Sequence, residues 1–448
     1  MKLNTLNKIL FLFSSFFFLN VWLKNYQTAA YVTLFFLFGL IIYFAIYNFE
    51  YAIYVLAFLL PFESILFAWG AGKYNAVSYI AILVMIYGIF YNKILKKSFN
   101  GFELIFIILI LAKFFSILWS PDIFRSIQNI FAYSGLFSIL YVFHRSIKSS
   151  QFLTNCLIYF CWGVGILSLS MFTQYTMDTF IYIGTRKYYS TLNVEEVAPY
   201  DIAHYNYSAF LCCLLLIDML KVKSHKRINI IAIIFFSVFI ILSLSRSYIL
   251  IYLVSVLCWL YFSKGFVVKF KRLFYGLSFG AVILFFATKI NIGALEARFV
   301  GETLSRIEKA QTNAVSAGRD YIWEVGLELF LQKPILGYGI GQFGPQFKQL
   351  EGIKKGSHNQ YIKYLVELGL VGFFIFIFLL IALFIFAIYY KHNKGVAMAL
   401  FFSILLISAS HGFYREKGYW FLLGLLFSAN HLKIIFQKYT QKNFLKIK

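Results

Sequence analysis

Long apolar stretches separated by short polar or basic breaks repeat along nearly the whole chain. A helix needs about 20 apolar residues to cross the hydrocarbon core of a bilayer. The pattern predicts such helices over 9–23, 30–47, 51–69, 74–91, 103–119, 127–144, 151–173, 203–220, 228–244, 247–263, 272–289, 361–390, 395–410 and 418–435. Pro61 and Glu63 interrupt the third of these, which predicts a broken or shallow element there. Segments of about ten residues with apolar/polar alternation are absent, which argues against an outer-membrane barrel. No small-residue cleavage site follows residues 9–23, so the first helix is read as retained. One long stretch, 290–360, is more polar, and a structureless loop of that length is uncommon. Helices are expected in it near 293–310 and 319–332, followed by a glycine-rich turn at Gly337–Gly344.

Composition agrees with the pattern. The 448 residues are 61% hydrophobic and only 13% charged, with a mean hydropathy of +0.76, whereas soluble domains carry about 25% charged residues. The expectation is an all-α integral membrane protein with about 12–14 transmembrane helices and one large extracytoplasmic loop containing short helices. It divides into N-terminal transmembrane helices at 1–289, the loop at 290–360 and C-terminal transmembrane helices at 361–448.

The net charge of +23 adds an orientation. Short, nearly acid-free loops carry Lys93, Lys96 and Lys97; Arg145 and Lys148; Lys221, Lys223, Lys226 and Arg227; Lys264, Lys269, Lys271 and Arg272; Lys391 and Lys394; and a basic tail ending at Lys448. The positive-inside rule makes these cytoplasmic, with both termini inside and an even number of spans. The charge therefore reports orientation and contact with anionic lipid headgroups. Basic residues scattered over many short loops do not make a nucleic-acid surface. On the opposite side lie 119–125, 174–202, the stretch around Arg246, 290–360 and 411–417.

That outer side holds the candidate chemistry. Arg246 stands in SLSRSYIL between two apolar stretches, where a charge is costly. It reads either as a ligand-binding charge in a polar pocket with Ser245 and Ser247, or as an arginine snorkelling to lipid phosphates. Arg319 is followed by Asp320, so a local ion pair competes with a binding role. His358 can accept a proton near neutral pH, or it serves as a hydrogen-bonding cap. Ser357 and Asn359 are both possible N-caps of the next helix. The glycine-rich stretch lacks the Gly-Lys-Ser/Thr ending of a P-loop, and its glycines suit a tight turn. The outward histidines, His204, His358 and His411, have no metal-ligand spacing, so no metal is expected. The five cysteines lie inside apolar segments and read as small apolar side chains.

Taken together, GRDYIWEVGLELFLQKPILGYGIGQF (318–343), a spacer, and SHNQYIKYLVELGLVG (357–372) resemble the signature region of the bacterial O-antigen ligase and polymerase family. Arg319, Trp323, Pro334, Gly337, Gly339, Phe343, His358, Asn359, Glu367, Gly369 and Gly372 carry the resemblance in that order. Upstream, SLSRSY is similar to the family's Ser-Arg element, with Ser247 where the family usually has glycine. The resemblance implies a metal-independent, inverting glycosyltransferase without cofactors. Its donor would be a glycan on undecaprenyl diphosphate, and its acceptor a hydroxyl of lipid A–core or of a second lipid-linked glycan. It also implies His358, Arg319 and Arg246 as catalytic residues and Asn359, Ser245, Tyr361 and Gly339 as substrate-binding ones. The residues suit that reaction, because guanidinium forks neutralise a departing diphosphate and a histidine can take the hydroxyl proton. Glu367 lies about 13 Å along a straight helix from His358, which points to a structural role. Three readings follow: ligase, repeat-unit polymerase, and non-enzymatic flippase. Two related halves, expected of a transporter, are not visible.

Overall fold

The structure, a computed structural model, describes residues 3–22, 26–63, 76–94, 99–174, 199–219, 223–242, 245–262, 319–353, 355–390, 393–410 and 416–429. The predicted helices at 272–289 and 293–310, most of the loop at 174–202 and the basic tail lie outside them. The described residues form helices and turns with no strand. In chain order they are α1 (Leu3–Trp22), α2 (Tyr26–Tyr47), α3 (Phe49–Leu59), α4 (Ala76–Phe90), α5 (Gly101–Phe115), α6 (Ile123–Ser146), α7 (Ser150–Gln174), α8 (Pro199–Met219), α9 (Lys223–Leu242) and α10 (Arg246–Phe262). Then follow α11 (Arg319–Gln332), α12 (Phe343–Glu351), α13 (Gln360–Tyr389), α14 (Lys394–Ser410) and α15 (417–429).

Local chemistry sets the helix ends. Asn48 caps α3 by accepting from the Glu50 N–H. Pro61 then converts the chain to a 3₁₀ turn, Leu60–Phe62, so the predicted break falls at the proline. Asn100 and Glu103 form a reciprocal capping box at the start of α5. Glu103 also holds His144 at 2.8 Å and Arg145 at 3.1 Å, a buried cluster joining the start of α5 to the end of α6. Among the described residues, Gly101–Trp119, Ile123–Ser146, Ser150–Ser170 and Gln360–Tyr389 are long and apolar enough to cross a membrane. Large apolar side chains such as Phe35, Leu118 and Phe378 stay exposed on the helix bundle, as lipid rather than water permits. The chain is an all-α membrane protein.

Helix α14 packs between α10 and α13, while α5 lies against α13 and α8 against α7 and α9. The sequence predicts one straight helix over 361–390, but α13 is two limbs joined at Gly369, whose φ of 61° and ψ of −159° are non-helical. The ring of Phe376 lies 5.6 Å from that of Tyr361 and 4.6 Å from that of Tyr364. In a straight helix Tyr361 and Phe376 would stand about 22 Å apart. The limb 360–368 therefore folds back beside 370–389, and the second limb alone supplies about 20 apolar residues, enough to span.

The orientation has a direct test. In a protein stripped of its native cysteines, a thiol at Ile353, which is exposed after α12, is expected to react with an impermeant maleimide from outside the cell. A thiol at Lys226 is expected to react only after the membrane is opened. The reverse pattern would overturn the inside-out assignment.

Candidate active site

The break at Gly369 interrupts the helical ladder, and the loop 334–339 fills the gap. Tyr338 N–H donates to the Val366 carbonyl at 2.9 Å and Gly339 N–H to the Glu367 carbonyl at 2.8 Å. In return Leu370 N–H donates to the Pro334 carbonyl at 2.8 Å and Val371 N–H to the Ile335 carbonyl at 3.3 Å. Buried backbone groups need partners, and these four hydrogen bonds satisfy eight of them. It needs close backbone approach. A Cβ at Gly337 would meet the Val366 carbonyl oxygen at 2.6 Å, and one at Gly369 would meet the Ile335 carbonyl oxygen at 2.2 Å.

The same loop is clamped from the other side by the C-terminal end of α5 and the N-terminal end of α6. Ile340 N–H donates to Ser116 Oγ at 3.1 Å, and Ser126 Oγ donates to the Ile340 carbonyl at 2.7 Å. Gln342 Nε2 reaches the Asp122 carbonyl at 3.0 Å. Gly339 sits against Ser116 and Ser120, where a Cβ would have no room. Glu367 is buried, and its Oε1 accepts from Phe343 N–H at 3.4 Å at the start of α12. Lys113 of α5 is buried beneath, its Nζ 3.9 Å from the Tyr133 ring centroid and 4.3 Å from that of Tyr364. Burial pushes the Tyr338 hydroxyl up from its ordinary value. The hydroxyl of Tyr321 is pushed up too, through its hydrogen bond to the Glu351 carboxylate.

Helix α11 lies along the first limb of α13. Ile322, Val325 and Leu329 pack with Phe343, Phe347, Ile362 and Val366 in a small separate core, and Gly326 lets Ile362 approach. Trp323 Nε1 donates to the Ser357 carbonyl at 3.0 Å. Arg319 opens α11 one turn before Trp323, on the same flank. The start of α11 is thus tied to the residue before His358. Asn359 is the N-cap of α13, and its Oδ1 accepts from the N–H groups of Tyr361 at 2.9 Å and Ile362 at 3.3 Å. His358 is exposed, with φ of +47°. Positive φ is uncommon outside glycine, and backbone strain of this kind concentrates at functional sites. Half-buried Tyr361 donates its hydroxyl to the Leu405 carbonyl of α14 at 3.3 Å.

Ser245 and Arg246 begin α10, which packs against α14. The Ser245 carbonyl accepts from Ile249 N–H at 2.9 Å, which makes Arg246 the first residue of α10. Arg246 therefore stands at a helix end rather than mid-helix. Arg319, His358, Asn359 and Tyr361 are brought together on α11 and α13, Gly339 is in the backbone joint, and Ser245 and Arg246 begin α10. Next to the α10 start lies a polar cluster that sequence patterning did not assemble. His204 Nδ1 is 2.8 Å from Glu416 Oε2, and Lys417 pairs with Glu63. These groups sit at the ends of three helices remote in sequence, so periodicity carried no signal for their meeting. Three metal-ligand side chains do not gather anywhere among the described residues.

Comparison with known proteins adds one match: residues 231–377 fit the family model described as O-antigen ligase. No curated protein matches the chain.

Proposed function

We propose that this chain, whose residues 231–377 fit the family model described as O-antigen ligase, is a membrane glycosyltransferase. It moves a glycan from undecaprenyl diphosphate to a hydroxyl on lipid A–core, at the outer face of the bacterial inner membrane. The observation that carries this reading is the tie between Trp323 and the Ser357 carbonyl, which joins the arginine at the start of α11 to the loop bearing His358. In this mechanism Arg319 and Arg246 neutralise the diphosphate as the bond from sugar C1 to the phosphate oxygen breaks. The acceptor hydroxyl attacks C1 from the opposite side, with inversion, and His358 takes its proton. Asn359, Ser245 and Tyr361 contact the sugars, and Gly339 keeps the wall of the site close. No metal or cofactor enters this scheme.

Purified protein in liposomes, supplied with lipid-linked glycan and lipid A–core, is expected to glycosylate the core. A lengthened lipid-linked glycan would identify a polymerase instead, and movement between leaflets without transfer would identify a flippase. Arg319→Lys and Arg246→Lys each replace a bidentate fork by a point charge. A charged hydrogen bond contributes about 1.5–3 kcal/mol, so each substitution is expected to lower kcat about ten- to a hundredfold. Activity is expected to survive EDTA. Loss with chelator, restored by a divalent ion, would remove the arginines as the only counter-charge.

A further inference from the structure

His204, near the start of α8, is buried with its side chain 7% exposed, and Glu416 holds its Nδ1 at 2.8 Å. Its Nε2 is buried and has no partner among the described residues. Buried polar groups are nearly always paired, so such an atom calls for an explanation. Glu416 faces it from the residue before α15, Tyr205 from its own helix and Tyr248 from α10. The ring of Tyr248 is 6.5 Å from that of His204, and Tyr248 follows Arg246 by two residues on the first turn of α10. The pair therefore stands beside the helix start that bears one of the two arginines assigned to the diphosphate.

We propose that the His204–Glu416 pair is the proton donor to the departing lipid diphosphate. The assignment rests on the glycosyl-transfer reading and extends it. A carboxylate at Nδ1 fixes the ring so that Nε2–H is the proton available for donation. As the bond from sugar C1 to the phosphate oxygen breaks, its electron pair moves to that oxygen, and the Nε2 proton of His204 passes to the diphosphate. The acceptor oxygen forms the new bond to C1 and gives its proton to His358. Water then returns a proton to His204 and removes one from His358.

The test is a pH–rate profile with the lipid-linked donor for wild type, His204→Gln and Glu416→Gln, with each protein's melting temperature and monodispersity in detergent as folding controls. A donor must be protonated, so the wild-type rate is expected to fall as pH rises, in addition to an acidic limb from His358. In His204→Gln the alkaline limb disappears and kcat drops about ten- to a hundredfold, the low end of general-acid effects because diphosphate already leaves well. Donor KM stays within about threefold. In Glu416→Gln the imidazolium loses its carboxylate, so the alkaline limb moves to lower pH. Should His204→Gln fail to fold, the position of that limb in Glu416→Gln decides alone. An alkaline limb unmoved in the folded variants overturns the assignment while leaving the transfer reaction standing. A wild type that transfers nothing from lipid-linked donors overturns the reaction and this assignment together.

Discussion

A Gly369→Ala protein is expected to accumulate in membranes at a small fraction of the wild-type level, and what accumulates should melt well below wild type. The backbone at Gly369 lies in a region essentially restricted to glycine, and strain there costs about 1–3 kcal/mol. The new Cβ would stand 2.2 Å from the Ile335 carbonyl oxygen and 2.7 Å from the Leu336 nitrogen. Both are backbone atoms, so no rotamer change relieves the clash, and overpacking adds about 1–3 kcal/mol. Each exchanged hydrogen bond that opens adds about 1–3 kcal/mol for its orphaned group. Total stabilities are of order 5–15 kcal/mol. Gly352→Ala is the control: its φ is also positive, at +72°, but a Cβ there meets nothing within 4 Å, so only modest strain is expected. Fluorescence size-exclusion and thermal-shift measurements compare the two. Equal behaviour of the two variants would sink the account of the joint.

His358→Ala is expected to lower turnover by about 10²–10⁴-fold, the usual contribution of a general base, with folding and donor binding retained. The residue is exposed, and the next helix is capped by Asn359 rather than by its ring, so truncating it removes no packing. A base must be neutral, so the wild-type rate should decline on the acidic side of the range where imidazole titrates, about 6.5 for the unperturbed group. His358→Gln separates proton transfer from hydrogen bonding, since an amide donates and accepts but does not take up a proton. Near-wild-type turnover by that variant, with the acidic limb intact, would take His358 out of the catalytic role.

Most transmembrane segments were legible because their signal is local: length, apolarity and a basic loop. The break at Pro61 was legible for the same reason, since proline acts on its own helix. Gly369 was not, because one glycine in an apolar run costs a helix only about 1 kcal/mol, and what bends the chain is a partner more than thirty residues away at Pro334–Gly339. Helix α12 was missed for being nine residues long and beginning inside a glycine-rich turn. In the site, spacing pointed to a structural role for Glu367 and offered Ser357 and Asn359 alike as the cap, of which the structure uses Asn359. The union of Ser116, Ser126 and Gln342 had no sequence signature, for hydroxyls at the ends of apolar helices are unremarkable one at a time.

The clamp on Ile340 joins residues 214 and 224 positions apart. During synthesis at about 5–20 residues per second, those ends of α5 and α6 are complete on the order of 10–40 s before their partner exists. Throughout that interval Ser116 and Ser126 have only the Lys113 carbonyl, Ser120 and water as partners. Neutral hydroxyls at the rim of a bilayer can borrow water, whereas charged groups buried deeper could not wait without cost. The chemistry of the clamp thus suits a chain threaded into the membrane from one end, with a socket of hydroxyls left open until the plug arrives.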